Sequence, residues 1–103
     1  MNDLLRQREQ DIARLCERHR VRRLSVFGSA LRASFDRKRS DVDLLVEFKP
    51  MPPRDRAEHF FGLQEDLEAI LQVPVDLVEP GPIRNPYFRD AVEASRVLLF
   101  EAA

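Results

Sequence analysis

A chain of 103 residues has room for one hydrophobic core but not for a separate substrate-binding domain, so residues 1–103 are expected to form a single domain. Its 44% hydrophobic and 34% charged residues match a soluble globular protein, and no apolar stretch reaches the length of a membrane span or signal peptide, which points to the cytoplasm. The net charge of −1 hides an asymmetry: residues 1–40 carry eleven Arg or Lys against five acids, and residues 41–103 carry six against thirteen.

In chain order, Leu4, Leu5, Ile12, Leu15 and Cys16 recur at helical spacing and predict one amphipathic helix from about Asp3 to His19. Cys16, the lone cysteine, falls within this pattern and reads as a buried, reduced thiol; with no Cys or His cluster, no zinc site is expected. Val21 to Phe27 reads as a first strand ending at Gly28, and Ser29 to about Ala33 as a short helical turn before the basic cluster Arg37-Lys38-Arg39. Asp41 to Phe48 is a second strand, closed by Lys49-Pro50-Met51-Pro52-Pro53. Asp55 and Glu58 have the spacing of a capping box, and Phe60, Leu63, Leu67, Ile70 and Leu71 give the helix after them its buried stripe. A third strand spans Val73 to Val78. Asn85-Pro86 is expected to open a helix to about Ser95, and Val97 to Phe100 forms a last strand. This order of elements implies an α+β domain with a mixed sheet of about four strands and helices packed against it.

The chemistry concentrates in three acids and one turn. Along a strand, residues i and i+2 point to the same face roughly 6.5–7 Å apart, so Asp41 and Asp43 face one way and Val42, Leu44, Val46 and Phe48 the other. Two carboxylates so close need a divalent cation or basic side chains to offset their repulsion, and an all-oxygen pair suits Mg²⁺. Asp76 stands inside the apolar run Val75-Asp76-Leu77-Val78, where an unpartnered acid costs several kcal/mol and has no stabilising purpose. Gly28 permits a sharp turn and close backbone approach to a phosphate, and Ser29 offers N–H donors and a hydroxyl. The alternative reading is bland: Gly28-Ser29 as a turn, Asp41 as a cap, Asp43 as an arginine partner and Asp76 on an edge. It requires several coincidences. The basic cluster could meet nucleotide phosphates or an acidic protein, or simply be a solvated loop. Base-stacking aromatics are not interleaved with it, so no direct nucleic-acid binding is expected. His19, at a helix end, and His59, within a helix, read as structural.

The segment Phe27-Gly28-Ser29-Ala30 through Ser40-Asp41-Val42-Asp43-Leu44-Leu45-Val46, with the later Val75-Asp76-Leu77-Val78, resembles the minimal nucleotidyltransferases of the DNA polymerase β superfamily. Within these it is most similar to the MNT-type antitoxins paired with HEPN-domain toxins, and the resemblance extends over nearly the whole chain. The spacer from Ala30 to Ser40, eleven residues, is one longer than is usual in that family and lacks the glycine or proline often found there. The added residue is inexpensive in a loop and bears on how that loop meets the triphosphate. The resemblance implies a nucleotidyltransferase fold in which Asp41, Asp43 and Asp76 hold Mg²⁺ and carry catalysis, while Gly28 and Ser29 bind the nucleotide.

It further implies transfer of AMP from ATP to a tyrosine of a HEPN-type toxin, within a hetero-oligomer that does not involve a membrane. Two other functions compete: a non-catalytic antitoxin acting by occlusion, and a nucleotidyltransferase acting on a small molecule such as an aminoglycoside. The intact acid set favours an enzyme, and the lack of a second domain disfavours a small-molecule acceptor.

Overall fold

The opening amphipathic pattern folds as two helices, α1 (Asp3–Gln7) and α2 (Glu9–Arg18), where the sequence predicts one. The computed structural model describes residues 3–27, 42–80 and 97–103. The turn after Gly28, the basic cluster and the helix expected from Asn85 lie outside the described residues. Arg8 caps α2 at φ −107° and ψ 13°, and its carbonyl accepts from the Ile12 N–H at 2.8 Å. No proline or glycine marks this break, which is why periodicity alone misses it. Both pieces still bury the same stripe: Leu4, Leu5, Ile12 and Cys16 all lie in the core.

Four strands follow among the described residues: β1 (Val21–Phe27), β2 (Val42–Phe48), β3 (Val75–Val78) and β4 (Val97–Glu101), ordered β3-β2-β1-β4 across one sheet. β1 is antiparallel to β2 and β4, whereas β2 and β3 are parallel. A parallel pair needs a long crossover, and α3 (Pro53–Leu71) supplies it. The mixed α+β sheet is as the sequence predicts.

α3 begins differently from expectation. Pro52 is its N-cap, at φ −58° and ψ 148°, and Pro53 its first residue, so Asp55 sits inside the first turn and the expected capping box does not form. A proline at the first helical position has a preset φ and no N–H to satisfy, which makes it the stronger start signal. The helix ends at Gln72, whose φ of 60° is left-handed; Arg20, just after α2, has φ 58°. β3 starts at Val75, two residues later than predicted, although Val73 is buried all the same.

The helices cover one face of the sheet. There Val21, Leu24, Val26, Val42, Leu44, Val46, Val75 and Leu77 pack with Leu63, Leu67 and Leu71 of α3. A bulge on β1 between Val21 and Arg23 lets Val21 and Leu24 both enter this core, breaking the strict alternation of a strand. The opposite face carries a small second cluster of Phe27 and Leu45 with Val78 against it.

Candidate functional site

Asp43 and Asp76 are partners in the parallel register of β2 and β3. By alternation Asp43 shares its face with Leu45, and Asp76 shares its face with Val78, so both carboxylates rise from the sheet face opposite the helices. Neighbouring strands run about 4.8 Å apart, close enough for two carboxylates to reach one ion. Asp43, the register partner of Phe27, is partly buried, and Asp76, on the edge strand, is exposed. Val42, Leu44 and Val46 are fully buried on the helix face, as the alternation requires.

The other predicted site residues, Gly28, Ser29 and Asp41, lie outside the described residues. Among the described residues no set of three His, Cys, Asp or Glu side chains forms a metal site. Two carboxylates in register give an all-oxygen donor pair, which fits a hard divalent cation such as Mg²⁺ and not zinc.

Further along the same face, Arg23 of β1 pairs with Glu47 of β2 at 3.6 Å and with Glu101 of β4 at 3.0 Å, tying three strands together. Half-exposed pairs like these contribute modestly to stability. Between this network and the acids lies the buried hydroxyl of Ser25.

On the helical side, His19 is the C-cap of α2 and is buried. Its Nε2–H donates to Asp66 Oδ2 at 2.7 Å, because a carboxylate only accepts, and its Nδ1 meets His59 Nδ1 at 3.1 Å. Gly62 makes this possible, since any Cβ there would approach His19 Cε1 to 2.9 Å. The sequence marks both histidines as structural, and this cluster stitches α2 to α3 on the face away from the acids. Burial pushes the Cys16 thiol up to about 12, with the Glu17 carboxylate adding to the rise, so it is an inert core side chain.

A mixed four-stranded sheet with helices on one face and paired acids on the other is the frame of a nucleotidyltransferase. A sequence model of the nucleotidyltransferase domain matches residues 9–99, and the chain belongs to that family of enzymes. One relative, from Methanocaldococcus jannaschii and named for protein adenylyltransferase activity, is 36% identical over 93 residues, covering 90% of this chain and 88% of its own. The protein adenylyltransferase MntA of Thermococcus cleftensis is 41% identical over 71 residues, 69% of this chain and 68% of its own. Among solved structures, a minimal nucleotidyltransferase superposes with a TM-score of 0.68 at 34% identity, covering 94% of this chain and 95% of that one. A chain from the complex of tri-AMPylated Shewanella oneidensis HEPN toxin with MNT antitoxin superposes at 0.63, covering 95% of this chain and 73% of that one; at 19% identity this likeness is one of fold. Among the described residues, no helix is long and apolar enough to cross a membrane.

Proposed function

We propose that this chain transfers AMP from ATP, with Mg²⁺, to a tyrosine hydroxyl of a partner HEPN-domain toxin, and so acts in the cytoplasm as its antitoxin. The observation that carries the reading is the register of Asp43 with Asp76 on the face opposite the helices. The names of the two archaeal relatives and the complex from Shewanella oneidensis support the choice of acceptor.

In this reading Asp41, Asp43 and Asp76 would hold Mg²⁺, and Asp76 would also orient the attacking hydroxyl and take up its proton. Bound Mg²⁺ would neutralise the charge that builds on the attacking and leaving oxygens. The hydroxyl oxygen bonds to the α-phosphorus, the α–β phosphoanhydride bond breaks, and pyrophosphate leaves. Gly28 and Ser29 would cradle the phosphates, and the apolar cluster of Phe27, Leu45 and Val78 shares the sheet face of the acids.

Asp43→Asn tests this. It keeps side-chain size while removing one ligand charge, so transfer of AMP, read by mass spectrometry of the toxin, should fall at least about 100-fold. Without metal the variant should unfold near the parent's urea midpoint, since the amide keeps the size of the carboxylate, and a loss of several kcal/mol would show that Asp43 is a structural ion-pair partner. Full activity in the variant would remove Asp43 from the site. A toxin that is inhibited without being modified would establish occlusion instead.

A further inference from the structure

β3 is an edge strand, and α3 treats its two halves differently. The Val42 N–H donates to Pro74 O, which sets the alternation: Pro74, Asp76 and Val78 bond inward to β2, while Val75 and Leu77 turn their N–H and C=O outward. At Val75 both groups are capped by α3. The Val75 N–H donates to Glu68 Oε2 at 3.0 Å, and the Val75 carbonyl accepts from Gln64 Nε2 at 3.1 Å.

Glu68 and Gln64 belong to a helical stripe that continues as Phe61 and Ala57. There the stripe becomes apolar, and the caps stop. Among the described residues nothing is hydrogen-bonded to Leu77 across the edge. Beside it runs a groove of about 400 Å³ lined by Ala57, Phe60 and Phe61 of α3 and by Leu77, Val78 and Glu79. Phe61 is 61% exposed, and Arg56 pairs with Glu79 at 3.7 Å at the groove's end.

An uncapped strand edge with an apolar groove beside it is what an extended peptide recognises: main-chain bonds hold it, and alternate side chains fill the groove. We propose that this edge is where the acceptor protein docks, through an extended segment that pairs with Leu77. This rests on reading Asp43 and Asp76 as the transfer centre and adds to it how the hydroxyl arrives. A residue placed opposite Asp76 on an added strand lies about 4.5–5.5 Å from it and projects onto the same face. Its neighbours point the other way, into the groove of Phe60, Phe61 and Ala57. The edge therefore selects a hydroxyl-bearing residue flanked by apolar ones, and presents that hydroxyl beside Asp76.

The test uses the full ¹⁵N-labelled chain with acetyl-Lys-Leu-Tyr-Leu-Lys-amide at millimolar concentration and the same peptide with its backbone amides N-methylated. Amide exchange at Leu77 should slow several-fold with the first peptide and not with the second, while Val75, already capped, stays unchanged. Phe61→Glu and Ala57→Arg, both on exposed positions, should each weaken peptide binding at least about 10-fold and leave the thermal shift given by ATP with Mg²⁺ intact. Unchanged Leu77 exchange at saturating peptide, equal binding of the N-methylated peptide, or AMP transfer that both variants leave untouched would each overturn the docking edge. A peptide that protects Leu77 and yet takes no AMP supports the docking edge and counts against the transfer centre.

Discussion

Gly62 would ordinarily be a weak point in a helix, where alanine gains about 1 kcal/mol. Its contact with His19 reverses that expectation, since an added Cβ at 2.9 Å must displace the ring that Asp66 and His59 hold. Gly62→Ala should therefore lose about 1–3 kcal/mol in urea unfolding, the usual penalty for overpacking. A gain in stability would show that His19 moves aside without loss. At this scale the sequence is unevenly legible. Asp43 and Asp76 stand out because an acid in an apolar run has a cost that demands a reason. His19, His59 and Asp66 carry no such signal: His19 stands 40 and 47 residues from the other two, and only the packing of α2 on α3 makes it their neighbour.

Between α3 and β3 the decisive contacts are side chain to backbone, a kind that hydrophobic periodicity does not report. The pattern of Phe60, Leu63, Leu67, Ile70 and Leu71 locates the buried face of α3 correctly, but says nothing of Gln64 and Glu68, which cap the edge of β3 at Val75. Glu68→Ala should cost about 1.5–3 kcal/mol, the worth of a hydrogen bond to a charged acceptor, and should speed amide exchange at Val75 while leaving Leu77 as it was. Unchanged exchange at Val75 would mean that water replaces the carboxylate at no loss. The start of α3 was misplaced for a similar reason: the Asp55–Glu58 spacing satisfies a capping rule, but two prolines upstream fix the backbone first.

Over the whole molecule, the parallel register of β2 and β3 brings two carboxylates within reach of one cation. Under the proposed function, stability and ligand binding are thereby linked. ATP with Mg²⁺ at about 100 times its dissociation constant adds about 2.7 kcal/mol, which for a domain of this size raises the melting temperature by roughly 10 °C or more. ATP with excess chelator should raise it only weakly, and equal shifts in both conditions would count against the acids as metal ligands. The mixed sheet was legible from the order of elements, because a 19-residue helix between two strands permits the parallel crossover that a tight turn forbids. The pairing of β4 with β1 was not legible, since strands so distant in sequence leave no local trace of their partnership.

Arg20 and Gln72 hold left-handed backbone at φ 58° and 60°, one after α2 and one after α3, where glycine is the customary occupant. A side chain in that conformation is strained by about 1–2 kcal/mol, and neither residue lies among the acids or along the edge of β3. The chain thus tolerates inefficiency at two joints where no chemistry requires it, the mark of selection that acts on sufficiency and leaves the optimum unvisited. Arg20→Gly and Gln72→Gly should each raise the urea midpoint by the equivalent of about 0.5–1 kcal/mol, and together they would give the fold slack against which later, destabilising changes at the acid-bearing face could be absorbed. A midpoint that fell in both variants would show instead that these two side chains hold their joints in place.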